Sequence, residues 1–567
     1  MILLNPKNHT RAYPDAISKE IMVKTIDFFE RKGKRNLKAD YRDRIWYDDF
    51  LEFQKDNQIF YNLLTPQAYG DGQTRWDTYR NCEFNEILGF YGLVYWYTWQ
   101  VTILGLGPLW MSHNEAIKKR TAQLLKDGAI FGFGLSEREH GADIYTTDMT
   151  LSGDGQGGYK ARGGKYYIGN GNKAAILSTF GRMAGTDNEY VFFAAQPGHE
   201  KFELVKNVVD SQMYVAEYAL HDYPVGEADI IARGPHAWDS ALNTVNVGKY
   251  NLGWASVGIC THALYESINH AANRRLYKMF VTDFPHVRQI FVDAYARLVA
   301  MKLFAQRASD YFRSANADDR RYLLYNPIVK MKVTVQGENI IDMLWNVIAA
   351  KGFENEMYFS SAASDIRGLP KLEGTAHVNM ALIVKFMANY FFNPKAYPET
   401  PKRGDAACDS FLWDQGPTRG LGQIQFHDFR PVLAKWEHLP NVKIFSEQVK
   451  VLERFLSQAT PSKDQARDTD FLLSLGEIFT LVPYGQLILE AAAHEGLEEA
   501  LIDQIFDCFV RDFSKFAMEL YQKPSSTDQQ MDLCMKMIRR PNVDMARFGT
   551  IWAEHVYALE GLYEMND

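Results

Sequence analysis

From residue 128 to about 235 the chain drops the helical period that governs it on either side, and this interruption limits the folds open to it. Glycine clusters, short alternating runs at 190–196 and 201–208, and turn residues between them predict a small β-domain. Before it, residues 17–34 and 41–61 are amphipathic at helical spacing, and 114–127 reads as a polar helix. After it, helical spacing returns over 242–276. The next helix, from His286, places Val287, Ile290, Phe291, Ala294, Leu298 and Met301 on one face. Two more follow at 328–350 and 375–390, and four helices with short connections predict a bundle. A Pro- and Gly-rich stretch, 393–423, ends it, with further helices expected at 447–458, 471–493, 498–521 and 542–563. The expected fold is therefore mainly α with a small β-domain. It comprises an N-terminal helical domain (1–127), a central β-barrel-like domain (128–235), a four-helix bundle (236–395) and a C-terminal helical extension (396–567).

Composition narrows the function. Hydrophobic residues make up 46% and charged residues 23%, so the chain can bury cores. A net charge of -8 argues against nucleic acid as the main partner, because phosphates call for a basic face. Cys82, Cys260, Cys408, Cys508 and Cys534 are scattered without metal-ligand spacing. They read as reduced thiols of a cytoplasmic protein, with no disulfide framework and no metal site. The apolar start at Met1 is too short for a signal peptide. Residues 87–114 carry no Lys, Arg, Asp or Glu and are nearly long enough for a membrane span. Gly89, Gly92, Gln100, Gly105, Gly107 and Pro108 interrupt them, and Tyr and Trp fill the middle, so two buried helical pieces with a bend are expected.

Two motifs bear on chemistry. Gly153-Asp154-Gly155-Gln156-Gly157-Gly158 satisfies GxGxxG, the pattern of a dinucleotide-binding turn. That reading requires a helix next, and Tyr159 to Ile168 cannot start one, so a hairpin turn is expected. The second motif is Leu372-Glu373-Gly374-Thr375. It puts a carboxylate just before a helix, with Gly374 turning the chain, Thr375 able to cap, and Val378, Leu382 and Phe386 at helical spacing. Alone, Glu373 reads as an acid favouring the helix dipole; in an apolar setting it is placed to act as a base.

The order of these pieces resembles the acyl-CoA dehydrogenase family over roughly residues 17–392. Gly134-Leu135-Ser136-Glu137-Arg138-Glu139-His140-Gly141-Ala142-Asp143 is similar to its first β-domain signature, which usually has a small residue at His140 and Ser or Thr at Ala142. Gly164 to Gly171 is similar to its second, with Tyr167-Ile168-Gly169 where the family has Trp-Ile-Thr. Asn346 to Phe353 corresponds to a Gln-x-x-Gly-Gly-x-Gly-aromatic element, and Asp365 precedes Glu373-Gly374-Thr375 at the family's spacing.

The resemblance implies FAD, held noncovalently by the β-domain and the bundle. It places the isoalloxazine along Leu135, Ser136, Tyr167 and Ile168, with the Ser136 hydroxyl and nearby amides bonding the ring. Phe133, Ala142, Gly169, Gly374 and Thr375 belong to the same implied cofactor set. Arg274 matches the arginine that meets the pyrophosphate of a neighbouring subunit's FAD, and Asn346 to Ala350 the loop that meets its adenylate part. The resemblance further implies α,β-dehydrogenation of an acyl-CoA, with Glu373 as base and Lys249, Ala142 and Gly374 near the substrate. Gly248 stands where some members carry the base instead, which strengthens Glu373. Electron-transfer flavoprotein or O2 is the implied acceptor, and a homo-oligomer, with a dimer favoured, the implied assembly. An acyl-CoA oxidase and a flavin-less binding or assembly subunit are the rival readings. Gly169 removes a threonine hydroxyl that normally approaches the flavin, Ala142 another hydroxyl, and Ala349-Ala350 replaces a glycine pair. The aromatic run Phe90, Tyr91, Tyr95, Trp96, Tyr97 and Trp99 either narrows the acyl pocket or packs a core; both readings stand at this point.

Overall fold

In the computed structural model, which describes residues 2–9 and 11–567, the charge-free stretch folds as two helices, Thr78–Tyr91 and Leu93–Met111, broken at Gly92. Most of the aromatic run packs a core: Tyr91 stacks on Phe29 at 4.8 Å, Tyr95 meets Phe29 edge-on at 5.0 Å, and Trp99 meets Phe84 at 4.6 Å. Contact density divides the chain into two units. One holds Thr10–Asn251 with Gly404–Arg419 and Met565–Asp567; the other holds Met1–His9, Leu252–Arg403 and Gly420–Glu564.

The first unit opens with helix Ala16–Asp43, which kinks at Gly33, where φ is 76°. The amphipathic run expected over 41–61 is broken by left-handed residues at Arg44 and Gln58 into helices Asp48–Asp56 and Ile59–Leu64. Eight strands follow: β1 (Phe131–Gly134), β2 (Thr150–Gly153), β3 (Tyr159–Gly169), β4 (Ile176–Met183), β5 (Tyr190–Ala195), β6 (Phe202–Asn207), β7 (Val215–Val225) and β8 (Ile230–Arg233). They form one sheet in the order β6-β7-β3-β2-β4-β5-β8, with β1 parallel to β4. Leu151, Ala161, Ile168, Leu177, Val191, Phe193 and Leu220 fill its core. The GxGxxG stretch is the β2–β3 hairpin turn. Gly153 pairs with Tyr159, and the Asp154 carboxylate accepts from the Gln156 and Gly158 amides. No helix N-terminus follows that could hold a pyrophosphate. An added Cβ at Gly105 would lie 2.6 Å from the Gly132 nitrogen, so only glycine lets the buried helix approach β1 this closely.

The second unit is helical. Helix Gly234–Asn273, whose residues up to Asn251 belong to the first unit, ends three residues earlier than expected, because Arg275–Leu276 and Met279–Phe280 form a short hairpin. Helix Pro285–Arg313 buries Val287, Phe291, Ala294, Leu298 and Met301 as read from the sequence, while Ile290 is only half-buried. Helices Tyr322–Ile328 and Thr334–Ile348 run on through a π-helical turn, Val329–Val333. After Glu373 the chain forms Ala376–Ile383 and Met387–Phe392. Here the sequence reading needs correction. The buried face carries Asn379, Met380, Ile383, Phe386 and Tyr390, and Val378 is 47% exposed. The reason lies in the extension, where Gly476 leaves room for the Met380 side chain, so the bundle helix turns toward Thr469–Glu495. Among the described residues that one helix is long and apolar enough to cross a membrane, but 83% of its apolar window is buried inside the protein. The observed class is the one expected: mainly α, with a central sheet and an extra C-terminal helical region.

Candidate functional site

The implied cofactor residues fall in both units, and each part is built separately. In the β-unit, the loop after β1 is laced to β3. The Ser136 hydroxyl donates to the Tyr166 carbonyl at 2.8 Å, and the Tyr166 amide donates to the Ser136 carbonyl at 3.0 Å. The ammonium of Lys165, fully buried, lies 2.6 Å from Glu137 and donates to the Leu135 carbonyl at 3.0 Å, fixing Leu135 beside the strand. Burial works to raise the Glu137 pKa, but Lys165, the Thr147 hydroxyl and the Asp148 amide outweigh it and hold the carboxyl below its usual range. Burial also pulls Lys165 toward its neutral form. The several donors on Glu137 decide for the ion pair.

Tyr167 is the extra residue of a β-bulge: Tyr166 pairs with Glu217 and Ile168 with Ala216, and Tyr167 between them has φ of 69°. The bulge turns its ring outward, leaving it 46% exposed, as a platform for a flat ligand requires. Phe133 is half-buried and stacks on Phe192 at 6.0 Å, and Ala142 is exposed on the loop. The side chain of Ile168 is 1% exposed in the sheet core, so only its backbone can meet a ligand. His140, where the family has a small residue, ties the same loop through Thr146 at 2.9 Å and Asp148 at 3.1 Å.

In the helical unit, His270, Arg274, Arg275, Ala349, Ala350 and Lys351 line a cleft of about 960 Å³ that Glu266, Glu354, Glu560 and Glu564 also border. Arg274 donates toward the His270 imidazole at 3.3 Å. Burial, with the Arg274 charge beside it, lowers the His270 pKa, so His270 accepts that bond as a neutral ring. Asn346 is exposed on helix Thr334–Ile348 and is not among the lining residues, in contrast to Ala350. Ala349 keeps a glycine-type backbone, φ 59° and ψ -145°. Ala349 therefore holds this loop's backbone under strain of about 1–3 kcal/mol. Ala349→Gly is expected to raise stability by about 1 kcal/mol after glycine's greater entropy in the unfolded chain is set against the relief, read from the urea midpoint.

Glu373 sits on a turn of the same unit. Leu372 and Lys371 amides donate to the Gly368 carbonyl, and the buried Lys330 ammonium, in the π-helical turn, donates to the Pro370 carbonyl at 2.7 Å. Glu373 has φ of 54° and Gly374 of 84°. Thr375 then caps helix Ala376–Ile383 by accepting from the Val378 amide, and Asn379 donates to the Gly374 carbonyl at 3.1 Å. The Glu373 side chain is half-buried, with one carboxylate oxygen shielded from water. A glutamate forced into the left-handed region is rare, and such strain gathers at functional sites. In the first unit, Lys249 is buried in the start of helix Gly234–Asn273, where the Gly248 carbonyl accepts from Gln100 at 3.2 Å. Lys330, His270, Arg275 and Lys351 were not singled out from sequence. For Lys330 the signal was a lysine, with Lys332, alternating with apolar residues from Ile328 to Val333.

Residues 237–388 match the family model of the acyl-CoA dehydrogenase C-terminal domain. Over these residues the chain carries an acyl-CoA dehydrogenase-family C-terminal domain. Among relatives of this family, a probable acyl-CoA dehydrogenase, FadE25, of Mycobacterium tuberculosis (strain ATCC 25618 / H37Rv) is 26% identical over 233 residues, 38% of this chain and 56% of that protein. A 3-(aryl)acrylate reductase of Clostridium sporogenes (strain ATCC 15579) is 19% identical over 299 residues, 50% of this chain and 75% of that one. The chain thus spans little more than half the length of the first of these relatives. A crystal structure of an acyl-CoA dehydrogenase complexed with FAD from Bacillus anthracis has the same fold, with a TM-score of 0.77 at 16% identity, over 98% of this chain and 97% of that one. The shared fold includes the C-terminal helical extension.

Proposed function

We propose that this acyl-CoA dehydrogenase-family chain binds FAD and removes the α-proton and β-hydride of an acyl-CoA, giving the trans-2-enoyl-CoA. The observation that carries the reading is Glu373, a glutamate held in a left-handed turn by a capped helix, with part of its carboxylate shielded from water. The residues present fit the cofactor. The cleft of about 960 Å³ offers Arg274, Arg275 and Lys351 to the pyrophosphate of a neighbouring subunit's FAD, with Glu266, Glu354, Glu560 and Glu564 on its border. The Tyr167 ring on its bulge offers an aromatic face.

FAD, when bound, supplies the acceptor for the hydride leaving Cβ. Glu373 takes the proton from Cα, for which a positioned base contributes ~10²–10⁴-fold. Its backbone N–H is assigned to the thioester oxygen, where an oriented donor is worth ~3 kcal/mol. Lys330 holds the turn on which both groups stand. Electron-transfer flavoprotein is the proposed acceptor of the electrons, with O2 the alternative.

The test is anaerobic. Purified protein is expected to be yellow, and one member of a panel of acyl-CoA thioesters is expected to bleach it within the mixing time of a slow reaction. Timing reoxidation in air then separates the two acceptors. A colourless protein that takes up no FAD, or a flavin that no thioester reduces, would remove the proposal.

A further inference from the structure

Three aromatic rings from three elements of the β-unit meet at the outer end of β4 and β5. Tyr190, the first residue of β5, stacks on Phe180 of β4 at 5.3 Å and lies 5.2 Å from Trp238, near the start of helix Gly234–Asn273. Tyr145, on the loop between β1 and β2, covers the Trp238 ring at 4.3 Å, and its carbonyl accepts from the Tyr190 hydroxyl at 3.1 Å. Tyr190 is buried, whereas Tyr145 is 64% exposed. A large ring fixed from behind by a second ring and open to water in front gives a flat ligand a surface to stack on.

The cation beside this stack is uncommitted. Arg182 on β4 lies directly across from Tyr190 and forms no ion pair among the described residues. Burial raises the Tyr190 pKa and the Arg182 charge opposes it, so the guanidinium stands close to the hydroxyl that ties the stack; Asp143, on the Tyr145 loop, acts the other way and more weakly. An open aromatic ring and an unpaired guanidinium together suit one ligand class, a purine that carries phosphates. The acyl-CoA of the reading above ends in such a group, a phosphorylated adenosine. The loop that carries Tyr145 begins at Leu135 and Ser136, where it is laced to β3 beside Tyr167, so one loop runs from the proposed flavin platform to the stack.

We infer that the adenine of the thioester stacks on Tyr145, backed by Trp238, and that Arg182 meets one of its phosphates. These residues thereby set which carrier of the acyl group is accepted: coenzyme A, and not a carrier protein, whose phosphopantetheine arm has no adenosine. The inference rests on the acyl-CoA reading and extends it to residues outside both signatures.

The test takes the acyl group that bleaches the flavin best and presents it on coenzyme A and on pantetheine, which lacks the nucleotide. Anaerobic reduction of the wild-type holoprotein is expected to show a KM about 10–100-fold lower for the coenzyme A thioester. Tyr145→Ala is expected to raise that KM about 5–50-fold and Arg182→Gln about 3–10-fold, with the limiting rate kept, because neither side chain touches the reacting atoms. The pantetheine thioester is expected to react alike with all three proteins. A wild type that takes both thioesters equally, or a Tyr145→Ala variant that weakens both by the same factor, overturns the inference alone. A flavin that neither thioester reduces overturns it together with the reading beneath it.

Discussion

Replacing Glu373 with Gln is expected to slow flavin bleaching by the best thioester ~10²–10⁴-fold while leaving FAD stoichiometry unchanged. The amide has the shape of the carboxylate and can keep the turn, because the turn is held by other groups: the Lys330 ammonium on the Pro370 carbonyl, the Thr375 cap and the Asn379 amide. What the amide cannot do is accept a proton from carbon. Stopped-flow reduction under anaerobic conditions reads the rate, and an undiminished rate removes the base assignment. Glu373→Gly should lose the same rate for the same reason. It should also gain about 1 kcal/mol of stability, since glycine takes the observed φ of 54° without strain. A variant that is at once more stable and inactive is the signature of strain kept for function.

The second large effect lies in the helical unit, where Arg307→Met is expected to cost ~3–5 kcal/mol of folding stability by taking the guanidinium away from a buried carboxylate. Arg307 bonds Glu490 at 2.8 Å, Asp310 at 3.1 Å and the Thr400 carbonyl at 2.8 Å, and its guanidinium lies 4.9 Å over the Tyr311 ring. Burial works to raise the Glu490 pKa, but His427 and Arg307 beside it outweigh that and lower it to about 2. A carboxyl depressed in the folded state stabilises the fold above its unfolded pKa, near 4.5, and loses that contribution as pH falls toward about 2. The wild-type protein should therefore lose up to ~3 kcal/mol from this group between those two values, and Arg307→Met should weaken at a higher pH. Urea unfolding at neutral pH and in acid measures both. Arg430→Met, which breaks the half-exposed pair with Glu453, provides the contrast and should cost under about 1 kcal/mol. Equal losses for the two variants would contradict the account.

Much of the architecture was legible because it depends on local periodicity. The switch from period 3.6 to period 2 at residue 128 and back after 235 follows from which faces each element must bury. The hairpin at 153–158 was legible for a similar reason, since Tyr159 to Ile168 alternates as a strand does and cannot begin a helix. The Glu373 turn could be read from Gly374 and the capping Thr375, both local features.

What stayed hidden depends on contacts between residues far apart in sequence. Which face of helix Ala376–Ile383 is buried depends on Gly476, about a hundred positions later, and the periodic Val378 therefore points outward. Whether the aromatic run packs a core or lines a pocket depends on where each ring lands. Phe29 and Phe84 claim Tyr91, Tyr95 and Trp99, and the gap at Gly169 claims Tyr97. The strain at Glu373 and Ala349 is likewise imposed from outside, because no L-residue chooses a positive φ unless its surroundings leave no alternative. The sequence by itself determined the order of the elements and the chemistry available to them. Only the tertiary structure decided which side chains meet, because burial is shared among distant residues while periodicity is a property of near ones.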